Sequence, residues 1–379
     1  MRIAFVVNNY PPRTGGVELH VRSLAAELAL RGHRVLVVTL GETPGWSRDD
    51  RVEVLTLPEH FRIANILGFP GPGTRRRLTR LLRERGVEAV SVHTRFFPMS
   101  FVGWRAARRA GIPVIHTEHG SDHVASDSRI IGLASRAVDV TLGRAVLRGA
   151  DRVLGVSREV TEFVRRLAGV EATVFPNAIE VRAAEDPDEQ ITDRPGHLVF
   201  VGRLVPGKGW EAFLEVVAAC RAAGRDTTGE VLGDGADMPR LRERLAALGL
   251  GGAVAVRGRV PQSEVRRALR GATLINPTTL SEGFQTTLLE AIAESGRVVT
   301  YPVPGAETLR AEGANVVITS GRDPAELAAA TLRLLGAPGD PAPRGFIDAW
   351  SWAARAVQFE RECAALPSAA TPEPPAGSR

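Results

Sequence analysis

Lysine is almost missing from this chain of 379 residues. Of its 48 Lys and Arg residues one, Lys208, is lysine, which leaves 47 arginines. A GC-rich genome accounts for the arginines but not for the exception. A lone lysine marks a place where a compact ammonium serves and a planar guanidinium does not. Cysteine is nearly as scarce, with Cys220 and Cys363 far apart. That excludes a disulfide framework and a cysteine metal site, and it suits a reducing cytoplasm. No apolar run approaches the ~18 residues of a membrane-spanning helix. The opening MRIAFVVNNYPP lacks the basic region, long apolar core and cleavage site of a signal peptide, so a cytoplasmic location is expected. Aromatics make up only 5% of the residues. No stacking platform or recognised module accompanies the arginines, and nucleic acid is not expected as a partner.

What is present suits a soluble globular enzyme, at 44% hydrophobic and 24% charged residues. The length accommodates two domains. Charge is uneven: residues 1–185 carry 27 Arg against 19 acids, and 186–379 carry 21 basic residues against 24 acids. Arg75, Arg76, Arg77, Arg80, Arg83 and Arg85 crowd one helical stretch, interleaved with Leu78, Leu81 and Leu82. Such a face is either simply solvated or docks peripherally on the anionic inner face of a membrane.

Apolar runs at 2–7, 35–40, 52–57, 89–92, 114–117, 152–156 and 173–175 alternate with helix-period segments such as 17–30. This is the pattern of a parallel α/β sheet. Residues 181–196 are acidic, carry Pro187 and Pro195, and read as a linker. The alternation then restarts at 197–201 and continues through 230–232, 253–256, 273–275, 298–301 and 316–319. The expected layout is a domain over 1–180, the linker 181–196 and a second domain over 197–345. A last helix spans 346–365, and a disordered tail runs over 367–379.

Three loops carry candidate chemistry. The run Ser281-Glu282-Gly283-Phe284-Gln285 leads into a helix opening with Thr286 and Thr287, whose free N–H groups favour a phosphate. Glu282 lies before that helix and Glu290 a turn or so inside it. One carboxylate can then face reacting atoms while the other grips hydroxyls. The second loop, 202–209, follows a strand and precedes a helix, with Arg203 and Lys208 bracketing a glycine turn suited to a diphosphate. It nearly matches the P-loop pattern of a nucleotide hydrolase or switch. Gly209, however, stands where that motif needs a hydroxyl for Mg²⁺. In the third loop Gly15 and Gly16 allow close backbone approach to a ligand, while the absence of G-x-G-x-x-G argues against NAD.

His116, His119 and His123, with Glu118 and Asp122, invite a metal hypothesis. The run starts on a strand, where neighbours point to opposite faces, so no metal site is expected. His119, at the strand's C-terminal end and followed by Gly120, is instead the candidate to face a ligand, and the other histidines read as structural.

Taken in order, these motifs resemble glycosyltransferase family 4 over nearly the whole chain. The set includes Gly15-Gly16-Val17-Glu18, Leu30-Arg31-Gly32-His33, Glu118-His119-Gly120, Phe175-Pro176-Asn177, the loop 202–209, Gly233-Asp234-Gly235, Val256-Arg257-Gly258, and the pair Glu282 and Glu290. The resemblance implies a GT-B fold, with two Rossmann-like parallel-sheet domains facing each other across a cleft. It implies retaining transfer of a sugar from a nucleoside-diphosphate donor to a hydroxyl acceptor, with no cofactor or metal. Arg203 and Lys208 would clamp the diphosphate, assisted by the helix start at Thr286 and Thr287. Glu290 would hold the ribose, and the backbone at Arg257 would meet the base. Glu282 and His119 would contact the sugar, and Gly15 and Gly16 would let the first loop approach donor and acceptor. The last helix would cross back to the N-terminal domain. A GT-B epimerase, which needs no acceptor, is the nearest rival. Two positions depart from the family pattern: Ala178 replaces a hinge glycine, and Gln285 stands where Gly or Pro is common.

Overall fold

A computed structural model describes residues 1–13, 15–63, 67–123, 129–181, 191–280, 283–343 and 345–367, without the side chains of 129–131. Glu282, residues 182–190 of the expected linker and 368–379 of the expected tail lie outside the described residues. The chain divides into two compact units. Met1–Asn177 is joined by the chain from Trp352 onward, and Ala178–Ser351 forms the other.

In the first unit, β1 (Arg2–Val6) is an apolar run buried on both faces, as a central parallel strand must be. It leads to α1 (Gly16–Leu30), whose His20, Val21, Leu24, Ala25 and Leu28 make one buried stripe. There follow β2 (Arg34–Gly41), β3 (Gly45–Asp49), β4 (Val52–Ile63), β5 (Leu67–Pro70), α2 (Thr74–Glu84), β6 (Ala89–His93), α3 (Pro98–Ala110) and β7 (Val114–Glu118). Then come α4 (Arg129–Val138), a π-helical turn (Asp139–Gly143), α5 (Arg144–Gly149), β8 (Arg152–Gly155), α6 (Arg158–Ala168) and β9 (Thr173–Val174). The sheet runs β3-β4-β2-β1-β6-β7-β8-β9, with β5 paired to β4.

One face of this sheet packs Val6, Val38, Val90 and Val92 under Leu78, Leu82, Met99 and Ala106 of α2 and α3. The other face places Phe5 against His93, both ring centroids 5.8 Å apart, beneath α1 and the last helix. The expectation of an all-parallel sheet fails at its edge, where β3 and β5 both run antiparallel to β4. β4 itself extends past the expected stop at residue 57. Gly45-Trp46-Ser47-Arg48-Asp49 has no apolar alternation, because backbone pairing to β4 recruits this exposed edge strand rather than burial.

The second unit contains β10 (His197–Val201), α7 (Trp210–Ala222), β11 (Thr228–Leu232), α8 (Met238–Ala247), β12 (Val254–Gly258) and α9 (Gln262–Leu269). It continues with β13 (Thr273–Asn276), α10 (Thr286–Ala293), β14 (Arg297–Thr300), α11 (Ala306–Ala311), β15 (Val316–Ile318) and α12 (Pro324–Gly336). All six strands are parallel in the order β12-β11-β10-β13-β14-β15. Trp210, Phe213 and Val217 of α7 pack with Leu327 and Leu334 of α12 over Phe200, Val231 and Ile275.

The expected single helix 346–365 is broken. A 3₁₀ turn (Phe346–Trp350) stops at Ser351, and α13 (Trp352–Ala364) begins afterwards. Trp350 belongs to the second unit, where its Nε1 donates to Glu312 and its ring stacks on Phe284. In the first unit, Phe359 of α13 stacks on Phe5, and Arg31 and His33, just past α1, both bond Glu360 at 2.8 Å. Two cores claim successive tryptophans, so one straight helix cannot serve both. Ala178 is buried and is not among the residues with positive φ, so its departure from glycine carries no backbone strain. Among the described residues no helix is long and apolar enough to cross a membrane.

Candidate functional site

In each unit the strand order reverses beside the first strand, between β1 and β6 and between β10 and β13. Ligands of parallel α/β sheets bind at such switch points, beyond the strand C-termini. The sequence candidates fall on these loops. Gly15 and Gly16 follow β1, His119 follows β7, Arg203 and Lys208 follow β10, and Thr286 and Thr287 come in the connection after β13.

In the second unit the loop 202–209 is held from below. Gly202 N–H donates to the Leu232 carbonyl, Leu204 N–H to that of Asp234, and Asp237 N–H to that of Leu204. Asp237 is buried and its carboxylate accepts from Trp210 Nε1 at 3.1 Å, tying the loop's two ends together. The Gly233-Asp234-Gly235 motif therefore braces this loop. A Cβ on Gly233, at φ +149°, would collide with the Gly202 carbonyl. Gly209 sits at φ +84°, and a Cβ there would lie 2.2 Å from the Pro277 carbonyl oxygen. That geometry forbids the Ser or Thr a P-loop requires at this position.

Arg203 is exposed on the braced loop, and the Lys208 alkyl chain lies beside Gly202. Lys208 has further interactions within the chain. α7 begins two residues beyond Lys208 with no side-chain cap, and α10 likewise begins at Thr286 uncapped behind Gln285. Neither helix start is closed by a side-chain cap among the described residues, and Lys208 stands just before that of α7, an arrangement suited to phosphate oxygens. Glu290 lies inside α10, where burial pushes its carboxyl up to about 7, against hydrogen bonding by Gln262 and the charge of Arg266. Arg257 reaches across to Glu230 at 2.7 Å, leaving the backbone at Gly258 to turn at φ +70°.

The first unit separates the three histidines of the suspected metal run. His116 pairs with Glu118 at 3.1 Å, His123 with Asp139 at 2.5 Å, and His119 turns to the opposite face. There it meets His93 at 3.1 Å and lies edge-on to His20, with ring centroids 4.7 Å apart. His20, His93 and His119 bring one nitrogen each within 4.8 Å of one another, close enough to converge on a metal ion. His93 and His119 already hydrogen-bond each other. Burial and the neighbouring imidazoles push His119 and His93 well below the usual histidine range, and burial takes His20 to about 4 despite its bond to Asn177. All three are neutral at physiological pH. Sequence reading singled out His119 but not its partners, although His93 ends β6 opposite Thr117, two residues before His119.

Glu118 anchors the turn that carries His119. Its carboxylate accepts the N–H groups of Arg95, His119 and Gly120 and the Arg95 guanidinium. Burial opposes its ionisation. The Arg95 charge, His116 and the N–H donors overcome that cost and hold it well below the usual carboxylate range. Gly15 is extended at φ −159°, and Gly16 has no atom within 4 Å of where a Cβ would stand. Gly16 thus borders open space, whereas a Cβ on Gly15 would meet the Glu18 carboxylate.

A family model described as Glycosyltransferase Family 4 matches residues 14–183, and one described as Glycosyl transferases group 1 matches 195–337. The chain is 25% identical over 381 residues to a GDP-mannose-dependent alpha-(1-6)-phosphatidylinositol monomannoside mannosyltransferase of Mycolicibacterium smegmatis, covering 93% of this chain and 96% of the relative. It is 29% identical over 269 residues to a D-inositol 3-phosphate glycosyltransferase of Frankia alni, covering 65% of this chain and 66% of that one. Among solved structures, Anabaena Alr3699/HepE in complex with UDP and glucose is similar in fold. Its TM-score is 0.72 at 17% identity, over 97% of this chain and 100% of that one.

Proposed function

From the premise that this chain belongs to glycosyltransferase family 4 and is a sugar transferase of GT-B fold, we propose a retaining, metal-independent reaction. It moves a sugar from a nucleoside diphosphate to a hydroxyl of a glycan, lipid or natural-product acceptor. The observation that carries this reading is the braced loop 202–209, which sets Arg203 and the chain's one lysine beside the uncapped start of α7.

We assign the donor to the second unit and the acceptor to the first. As the sugar–phosphate bond lengthens, negative charge builds on the diphosphate. Lys208, Arg203 and the N–H groups at Thr286 and Thr287 would stabilise it where a metal ion does so in other transferases. Glu290 would hold the ribose hydroxyls, and its raised carboxyl, when protonated, can both donate and accept. Arg257 backbone would meet the base. His119, held neutral, would hydrogen-bond the transferred sugar without adding charge beside a developing oxocarbenium, with Glu282 as the second sugar contact. Gly15 and Gly16 would let the first loop approach both donor and acceptor. The relatives named for GDP-mannose and for inositol phosphates support a nucleotide-sugar donor and a polar hydroxyl acceptor. We place the reaction in the cytoplasm, with the arginines of α2 available to an anionic membrane face.

Thermal unfolding with UDP, GDP, ADP, CDP, dTDP and ATP, each in EDTA and in Mg²⁺, tests the reading. A diphosphate at about 100 times its Kd stabilises by about 2.7 kcal/mol, a rise of several degrees. A shift with one diphosphate in EDTA supports the proposal and names the base. A shift confined to ATP with Mg²⁺ overturns it.

A further inference from the structure

We infer that Ser91 and His93 are positioning residues that fix the tautomer of His119, through a buried relay running Ser91 Oγ–H to His93 Nε2 and His93 Nδ1–H to His119 Nε2. The relay leaves His119 with its single ring proton on Nδ1, as the donor offered to a sugar hydroxyl. It rests on the reading of His119 as a sugar contact.

The two links measure 3.0 and 3.1 Å. Ser91 and His93 stand two residues apart on one face of β6, a strand paired on both sides by β1 and β7, so both side chains are held by a rigid central element. The direction follows from counting hydrogens. A serine hydroxyl always carries one, Ser91 is 1% exposed, and His93 is its partner among the described residues. With the relay as stated, that hydrogen is used. In the reverse sense His119 Nε2–H would donate to His93, and His93 Nε2–H to Ser91. The Ser91 hydrogen would then be buried with no acceptor among the described residues, a cost the first direction avoids.

His20 does not compete. Asn177 Oδ1 can only accept, so the 2.8 Å contact requires a proton on His20 Nδ1 and leaves its Nε2 bare. That Nε2 is buried and finds no partner among the described residues, so His20 has no second N–H to give His119. Burial and the neighbouring rings keep the imidazoles uncharged, so the question at His119 is which nitrogen holds one proton, not whether it holds two. Orientation of one histidine nitrogen by the bond its other nitrogen makes is how such a ring is prepared for a ligand.

Long-range ¹H–¹⁵N correlation of histidine-labelled protein reads the tautomer directly, with His119 assigned by the signal that His119→Ala removes. The expected result near neutral pH is a protonated Nδ1 and a bare Nε2 at His119. In Ser91→Ala the His119 signals should move toward the Nε2–H form. Its kcat should fall roughly tenfold with donor KM within about twofold, inside the ~10²-fold that a 1 Å misplacement costs. Ser91→Cys, which keeps a weak donor, should recover part of the rate. A wild-type His119 protonated on Nε2 overturns the relay, as does a folded Ser91→Ala with unmoved His119 signals. If Ser91→Ala does not fold, the wild-type spectrum alone decides. Should His119→Ala transfer sugar at the wild-type rate, the sugar-contact reading fails while the spectrum still judges the relay.

Discussion

Arg95 and Glu118 form an ion pair at 2.9 Å with neither side chain exposed at all. The same guanidinium forks onto both oxygens of Asp139 at 2.9 and 3.0 Å and gives a further bond to the Asp122 carbonyl. One cation thus serves two buried carboxylates, one of which holds the backbone of His119 and Gly120. Arg95→Ala should cost about 3–5 kcal/mol in urea unfolding, because the partners stay behind uncompensated. A loss under about 1 kcal/mol would contradict the arrangement. Glu118 is depressed in the fold, so its contribution is present above the ordinary carboxylate pKa. It fades as the pH falls, which makes acid sensitivity part of the same expectation.

Phe359 is fully buried and stacks on Phe5 at 5.8 Å, with Phe175 at 6.0 Å. Phe359→Ala should lower stability by about 3–5 kcal/mol through the cavity it leaves. Calorimetry showing an unchanged midpoint would mean that α13 is not part of this core.

Lys208→Ala and Arg203→Ala should each reduce kcat by about 10²–10³ if they stabilise charge on the departing diphosphate. Circular dichroism should stay at the wild-type signal, since both lie on a loop. Glu282→Ala should abolish transfer. Wild-type turnover in Lys208→Ala or Glu282→Ala would remove that residue from the site.

The carboxyl of Glu290 is raised by burial from 4.5 to about 7. Between those values the folded chain holds a proton that the unfolded chain has lost, so stability falls as pH rises through the window. Glu290→Gln removes that dependence. The melting temperature of the variant relative to wild type should therefore climb from pH 4.5 to pH 7 and then level off. A flat difference would show that Glu290 titrates normally.

The central strands were legible because burial on both faces writes itself as an apolar run, as at Ile3–Ala4–Phe5–Val6. The loops after β10 and β13 were legible because glycine, lysine and paired threonines sit between a strand and a helix. β3 was not, since Gly45–Asp49 is held by backbone pairing that leaves no side-chain pattern. Nor was the break at Ser351, which depends on Trp350 and Trp352 entering different cores. Strand alternation was enough to separate His119 from His116. It could not bring His119 to His20 and His93, which arrive from α1 and β6 and meet only once the sheet is layered.

The two cores are built from one polypeptide in an order that matters during synthesis. Phe359, Ala356 and Cys363 complete the layer over Phe5, yet the ribosome adds them only after the whole of Ala178–Ser351. The first unit must therefore wait, with the Phe5 face of its sheet covered by α1 but not by α13, while the second is made. A chain cut at residue 177 would lack the helix that closes that face, so this unit reaches its finished state last, although it is begun first.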